Sequence, residues 1–167
     1  TRKNTIMSQI DWYKMVANYE MPITNFVRKP AELDYCDEPD SFHEIMGHIV
    51  FLLDKEYSDM YQLLANTYIE AYKKDNKRAL YKLDFIGGYI IELGLIREQA
   101  GIKAFGATLY SSGEVKVAFK KKNQRALGRE IPNEKKGYNR SYFQGKYYII
   151  ESIDQIKELI KKINKTL

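Results

Sequence analysis

Apolar residues recur at three- and four-residue spacing along several stretches of this chain and run on unbroken along a few shorter ones. Ile10 to Tyr19 reads as a short amphipathic helix with Asp11 near its start; Pro22 ends it, and Ile23 to Val27 reads as extended. Lys29-Pro30 marks a turn, and Leu33 to Pro39 a connector. Asp40 or Ser41 is placed to cap a helix running to about Leu53. Glu56 to Lys74 reads as a second long helix, with Met60, Leu63, Leu64, Thr67, Tyr68 and Ala71 on one face. Asp75-Asn76 breaks the pattern, and Lys77 to Gln99 reads as a third helix. Gly87-Gly88 lies inside it, at a cost of roughly 2 kcal/mol against alanine. Close packing, or room for a ligand, must compensate.

Further on, Ile102 to Leu109 reads as extended and Ser111-Ser112-Gly113 as a loop. Val115 to Phe119 fits a helix start or a short strand. Lys120 to Gly137 reads as mostly irregular, and Tyr147 to Ile150 as a strand. Ser152 to Leu167 is a helix capped by Ser152, with Ile153, Ile156, Ile160, Ile163 and Leu167 in one stripe. That stripe packs on the chain's own core or, by its alternating three-four spacing, joins two copies in a homo-oligomer.

A length of 167 residues predicts one domain, 1–167, with a single core. The 44% apolar and 13% aromatic content excludes a disordered chain. One cysteine, Cys36, excludes an internal disulfide and suits a reducing compartment. The first residues lack a charged-then-apolar leader. The apolar run Phe85 to Leu95, broken by Gly87, Gly88 and Glu92, is too short to span a bilayer. A cytoplasmic protein without a membrane segment is expected. The net charge of +5 gathers between Lys116 and Lys146, in Lys120-Lys121-Lys122 and Lys135-Lys136. No nucleic-acid motif accompanies it, so a solvated loop is expected there rather than a nucleic-acid partner.

The chemistry concentrates in Asp40-Ser41-Phe42-His43-Glu44-Ile45-Met46-Gly47-His48, which holds both histidines of the chain. Histidine is the commonest metal ligand among side chains. A zinc-protease helix puts its pair at i and i+4. Here the gap is five, about 140° around an ideal helix. Both rings reach one ion only near the helix end or if the helix loosens, and Gly47 suits either. Two histidines and one carboxylate would make the facial triad of non-haem iron(II). Glu92 is the best third ligand, because a carboxylate in Tyr89-Ile90-Ile91-Glu92-Leu93-Gly94-Leu95 needs a partner. A metal is one such partner and a buried lysine or arginine another.

His43-Glu44-Ile45-Met46-Gly47-His48, preceded by Glu38-Pro39-Asp40, resembles the iron-binding signature of the pterin-dependent aromatic amino acid hydroxylases. Pro22 to Arg28, Ile91 to Leu95, Lys103 to Ala107 with Ser111 to Glu114, and Tyr147 to Ile156 resemble further segments of that family in the same order. The resemblance implies a mainly α (α+β) catalytic core, without the family's upstream part. Its helices would surround a mononuclear iron site beside a small antiparallel sheet. It implies an iron-dependent monooxygenase like the bacterial phenylalanine hydroxylases, acting with O2 on a small aromatic substrate. Fe(II) and tetrahydropterin would be its cofactors. His43, His48 and Glu92 match the iron ligands. Arg28 matches the arginine that pairs with the substrate carboxylate, and Asp40 an acid that orients it. Ser111 and Gly88 fall at the substrate pocket. Trp12 falls where an aromatic ring stacks on the pterin, and Glu44 where a glutamate faces the pterin. Gly87-Gly88 and Leu93 stand where the family carries bulky aromatic residues, Asp84 where it has a small one, and Cys36-Asp37 where the animal enzymes have threonine-proline. Two other readings follow from these departures: a pterin-independent iron oxygenase or oxidase on a different aromatic acid, and a non-catalytic, metal-stabilised binding module.

Overall fold

The computed structural model describes residues 7–36, 38–133 and 143–167. Ser8 accepts the Asp11 N–H and starts helix α1 (Gln9–Ala17), which buries Tyr13 and Val16. A 3-10 turn at Pro30–Glu32 follows; the stretch from Ile23 to Val27, expected to be extended, joins no sheet. Asp40 caps α2 (residues 41–52) by accepting the His43 N–H at 3.0 Å. The middle of α2, Glu44–Ile49, is wound as a π-helix, with α-helical turns on either side. Asp54 caps α3 (Lys55–Lys73), whose buried positions Tyr57, Met60, Tyr61, Leu64, Tyr68 and Ala71 follow the three-four spacing. Asp75, at φ 48°, turns the chain out of α3 in the left-handed conformation that often ends helices.

Asn76 caps α4 (residues 77–92), α-helical over Lys77–Phe85 and π-wound over Ile86–Glu92. The expected helix to Gln99 is corrected here: α4 stops at Glu92. Gly94 ends it, donating to the Ile90 carbonyl at 2.9 Å and accepting the N–H groups of Phe105 and Gly106 at 2.9 Å each. A Cβ on Gly94 would lie 2.4 Å from that Ile90 oxygen, so only glycine makes this turn. Leu95–Glu98 is thereby freed to form β1, which pairs antiparallel with β2 (Gly101–Ala104). The extended stretch expected to reach Leu109 ends at Ala104, and α5 (Ala107–Ser111) takes over after Gly106. Helix α6 (Val115–Ala118) follows, so Val115 to Phe119 resolves as a helix start.

The stretch from Lys120 is more ordered than its composition predicts. It forms a 3-10 turn (Lys121–Asn123) and strand β3 (Gln124–Ala126); Lys135 and Lys136 lie outside the described residues. Strand β4 (Tyr147–Ile150) is buried along its whole length and runs parallel to both β1 and β3. The sheet order is β2-β1-β4-β3. It is therefore mixed, which corrects the expected antiparallel sheet. The reason is topological: long connections, not hairpins, bring β4 between its neighbours, and parallel pairing needs such crossovers.

Ser152 caps α7 (Ile153–Asn164). Helix α3 packs against α1, α4 and α7, and the Tyr13 and Tyr68 rings stack at 4.2 Å. Ile156 and Ile160 of α7 are fully buried and Ile163 nearly so. Of the two readings of the stripe from Ser152 to Leu167, packing on the chain's own core accounts for Ile156, Ile160 and Ile163. Each such side chain contributes roughly 1.5–3 kcal/mol of burial. A second apolar cluster, Leu93, Leu95, Leu109, Ala118, Tyr147 and Ile149, lies between the sheet and α5. Among the described residues no helix is long and apolar enough to cross a membrane.

Candidate metal centre

Residues five apart fall on one side of a π-helix, because its hydrogen bonds run from i to i+5. The winding of α2 thus answers the 140° problem. His43 and His48 turn their Nε2 atoms toward each other at 3.2 Å. Glu92, the last residue of the second π-wound segment, puts Oε2 3.5 Å from His43 Nε2 and Oε1 3.3 Å from His48 Nε2. Donors that share one ion at about 2.1 Å lie about 3.0 to 3.4 Å apart, depending on the bond angle. Two of the observed separations fall in that range and the third, His43 to Glu92 at 3.5 Å, lies just above it; a set of two imidazoles and one carboxylate suits non-haem iron(II). Glu44 also offers a ligand atom; with those of His43 and His48 it forms a group spanning no more than 4.8 Å. Glu92 sets one oxygen near each Nε2, which makes it the better third ligand. Its side chain is 25% exposed against 9% and 3% for the histidines, so the cluster is open to solvent on the Glu92 side.

Two of the three donors are held in the form that binds metal. Burial draws the His43 imidazole down to about 4, although the Glu92 charge opposes it. Burial also acts on His48, but there the Glu92 charge and hydrogen bond, with Glu44, win and raise its pKa. Burial pushes the Glu92 carboxyl up, yet the two histidines and Thr108 together bring it down to about 2. An ionised Glu92 and a neutral His43 are the forms that ligate.

The short helix α5 wedges between the two π-wound segments. A Cβ on Gly106, just before α5, would lie 2.4 Å from the Glu92 carbonyl. Thr108 donates to Glu92 Oε2 at 2.9 Å. The Ser111 hydroxyl lies 2.8 Å from His43 Nδ1 and donates to the Ala107 carbonyl at 3.2 Å. On the other side of the cluster the Tyr61 hydroxyl lies 2.8 Å from His48 Nδ1. Thr108 and Tyr61 carry no signal in the sequence reading. In the helix over Ala107–Ser111, Thr108 and Ser111 share a face at i and i+3.

Ser111 also ties the cluster to Arg28, whose Nη1 donates to the Ser111 carbonyl. Asp40, fully buried, accepts from Arg28 Nε at 3.0 Å, from Nη2 at 2.6 Å and from its backbone N–H at 2.8 Å. Burial pushes the Asp40 carboxyl up, but these bonds, the His43 N–H and the Arg28 charge hold it well below the usual carboxylate range. Of five N–H donors on the guanidinium, three are used within the described residues, leaving one on each terminal nitrogen. The guanidinium carbon lies 5.6 Å from the Phe42 ring centroid.

Trp12 meets Tyr61 edge-on, ring centroids 6.0 Å apart, and is half-buried on α1. The lone tryptophan is therefore one phenol away from His48. Gly88 is buried in the second π-wound segment. At its neighbour Gly87 a Cβ would meet the Tyr13 hydroxyl at 3.1 Å, so close packing compensates for that glycine. Asp84, one turn earlier, accepts from Gln9 Nε2 at 2.7 Å.

Residues 3–167 match the family described as biopterin-dependent aromatic amino acid hydroxylase. The phenylalanine-4-hydroxylase of Caulobacter vibrioides is 31% identical over 155 residues, which are 89% of this chain and 50% of that protein. The chloroplastic phenylalanine 4-monooxygenase of Chlamydomonas reinhardtii is 30% identical over 148 residues, covering 86% of this chain and 39% of the relative. The chain spans about half the length, or less, of these relatives. Among solved structures, Chromobacterium violaceum phenylalanine hydroxylase with bound oxidised Fe(III) superposes with a TM-score of 0.81 at 26% identity. That match covers 97% of this chain and 60% of the other.

Proposed function

The chain belongs to the biopterin-dependent aromatic amino acid hydroxylases, and on that premise we propose that it is a mononuclear non-haem iron(II) monooxygenase. Its substrate is an aromatic amino acid or a related aromatic carboxylic acid, and O2 and a reduced pterin are consumed. The observation that carries this reading is the convergence of His43 Nε2, His48 Nε2 and the Glu92 carboxylate within 3.2 to 3.5 Å of one another. The matches to phenylalanine hydroxylases favour it over a pterin-independent oxygenase or a non-catalytic binding module. Residues 1–167 form its hydroxylase-like catalytic domain, and it works in the cytoplasm.

When bound, iron and the reduced pterin supply the oxygen activation. His43, His48 and Glu92 hold the iron. Ser111 and Thr108 fix two of these ligands, so the donor set is in place before the metal arrives. The two uncommitted N–H groups of Arg28 take the substrate carboxylate as a bidentate pair, and Asp40 holds the guanidinium for that task. Ser111 and Gly88 line the substrate side, and Trp12 and Glu44 face the pterin. The buried rings around His48 keep water from the closed side of the site.

Anaerobic loading with Fe(II), followed by O2 and a panel of aromatic amino acids and aryl carboxylic acids with and without tetrahydropterin, tests the proposal. Pterin-dependent ring hydroxylation is expected. Turnover of equal rate without pterin removes the pterin role. Glu92→Ala should lose iron and hydroxylation together, and stoichiometric iron in that variant would sink the ligand assignment.

A further inference from the structure

Each donor of the cluster has one hydroxyl behind it: Ser111 at His43, Thr108 at Glu92 and Tyr61 at His48. Tyr61 is the one that comes from outside α5. It sits on α3, 1% exposed. The two nitrogens of an imidazole do different work, and the bond made by one sets which form the other takes. Nε2 of His48 faces the other donors. To offer its lone pair to a metal, Nδ1 must carry the proton and give it to an acceptor. The Tyr61 oxygen, 2.8 Å away, is the acceptor in place.

The phenol is itself held firmly. Its ring stacks on Tyr57 at 5.3 Å and 26°, and the edge-on contact with Trp12 closes another side. A ring gripped in this way fixes the direction of its hydroxyl, and so the rotation of the His48 imidazole.

We propose that Tyr61 is a positioning residue for the metal: its hydroxyl selects the Nε2-ligating form of His48 and locks the ring that presents it. This rests on the iron reading above. Loss of such a partner typically weakens metal binding 10- to 100-fold.

The test compares Tyr61→Phe, which keeps the ring, with Tyr57→Phe. The Tyr57 hydroxyl is equally buried and lies beside Tyr61, but among the described residues no bond joins it to a histidine of the cluster, so its loss controls for loosening of the stack. Metal-free full chain is titrated anaerobically with Fe(II), and with Co(II), whose visible absorption reports the donor set. Proton NMR of the Zn(II)-loaded chain follows the Nδ1–H signals, of which two histidines give at most two. Tyr61→Phe should bind metal about 10- to 100-fold more weakly, while Tyr57→Phe stays within roughly threefold of the parent chain. One slowly exchanging Nδ1–H signal should be lost in Tyr61→Phe alone. Equal affinity in Tyr61→Phe and the parent chain overturns the proposal. So does equal weakening in Tyr57→Phe, and so does a loaded parent chain with no protected Nδ1–H at His48. A parent chain that takes up no metal overturns the iron reading and this inference with it; a parent chain that binds while Tyr61→Phe binds equally removes only the role of Tyr61.

Discussion

A Cβ built on Gly47 would lie 2.7 Å from the Cβ of Ala107 and 2.9 Å from its backbone. Helices α2 and α5 therefore touch backbone to backbone between the two histidines. That contact lets Ser111 reach His43 and Thr108 reach Glu92. Gly47→Ala should push α5 away, cost about 1–3 kcal/mol through overpacking, and weaken metal binding at the same time. Thermal unfolding of the metal-free chain and an Fe(II) titration read the two effects. A Gly47→Ala chain that is as stable and as metal-tight as the parent shows that α5 yields without moving the ligands.

Thr108→Val keeps the branched shape and removes only the hydroxyl that donates to Glu92 Oε2 at 2.9 Å. The carboxylate is then free to rotate away from the histidines. Metal affinity should fall about tenfold, while stability changes by only about 1 kcal/mol, the net worth of one hydrogen bond. An isothermal titration with Fe(II) and a urea melt separate the two. Unchanged affinity means that the histidines alone hold the carboxylate in place.

Glu114 carries a pH dependence away from the metal cluster. It is 2% exposed and accepts from the Gln144 N–H at 2.8 Å and the Tyr147 hydroxyl at 2.7 Å. Burial raises its pKa above the ordinary 4.5, and the two bonds oppose that only in part. A carboxyl raised on folding binds its proton more tightly in the native chain. The stability it lends is complete below 4.5 and is lost as pH rises through the folded value. Glu114→Gln keeps an acceptor oxygen and cannot titrate. The stability difference between variant and parent should therefore shift in favour of the variant from pH 4.5 toward neutrality. Urea unfolding of both chains at several pH values measures it, and a difference that stays flat shows that Glu114 bears no desolvation cost.

The candidate donors were legible because their signals are local. Two histidines five apart require a loosened helix to share an ion, and Glu92 in an apolar run requires a partner. The winding of Glu44–Ile49 and the position of Glu92 meet both requirements. Helix α5 was not legible, because an alternating apolar pattern carries through Ala104 and only the close approach of Gly106 to Glu92 forces the change of direction. Tyr61 lies on the apolar stripe of α3, where a tyrosine reads as core; its hydroxyl acquires meaning only when α2 brings His48 against it. The mixed sheet escaped for a similar reason: nothing within Tyr147–Ile150 specifies which strands lie on either side.

Arg28 and Asp40 separate a structural role from a binding role. Their pair is buried, with side chains 5% and 0% exposed. Asp40→Ala leaves a buried guanidinium without its counter-charge, at about 3–5 kcal/mol, and removes the cap from α2, at about 1 kcal/mol more. That variant should unfold at markedly lower temperature and says little about substrate. Arg28→Lys is the sharper test. An ammonium keeps the charge beside Asp40 but cannot reach Asp40, the Ser111 carbonyl and a substrate carboxylate together, because it lacks the planar fork. If the uncommitted N–H groups of Arg28 hold the substrate carboxylate, Arg28→Lys should raise KM for an aromatic amino acid by about tenfold, the equivalent of 1.4 kcal/mol, with a smaller effect on kcat. The matching arylethylamine, which lacks the carboxylate, should show equal kinetics with the parent and the variant. Steady-state hydroxylation of both substrates by both chains decides it. An equal loss on the amine would mean that Arg28 acts only as a strut between Asp40 and Ser111, and that the substrate carboxylate is held elsewhere.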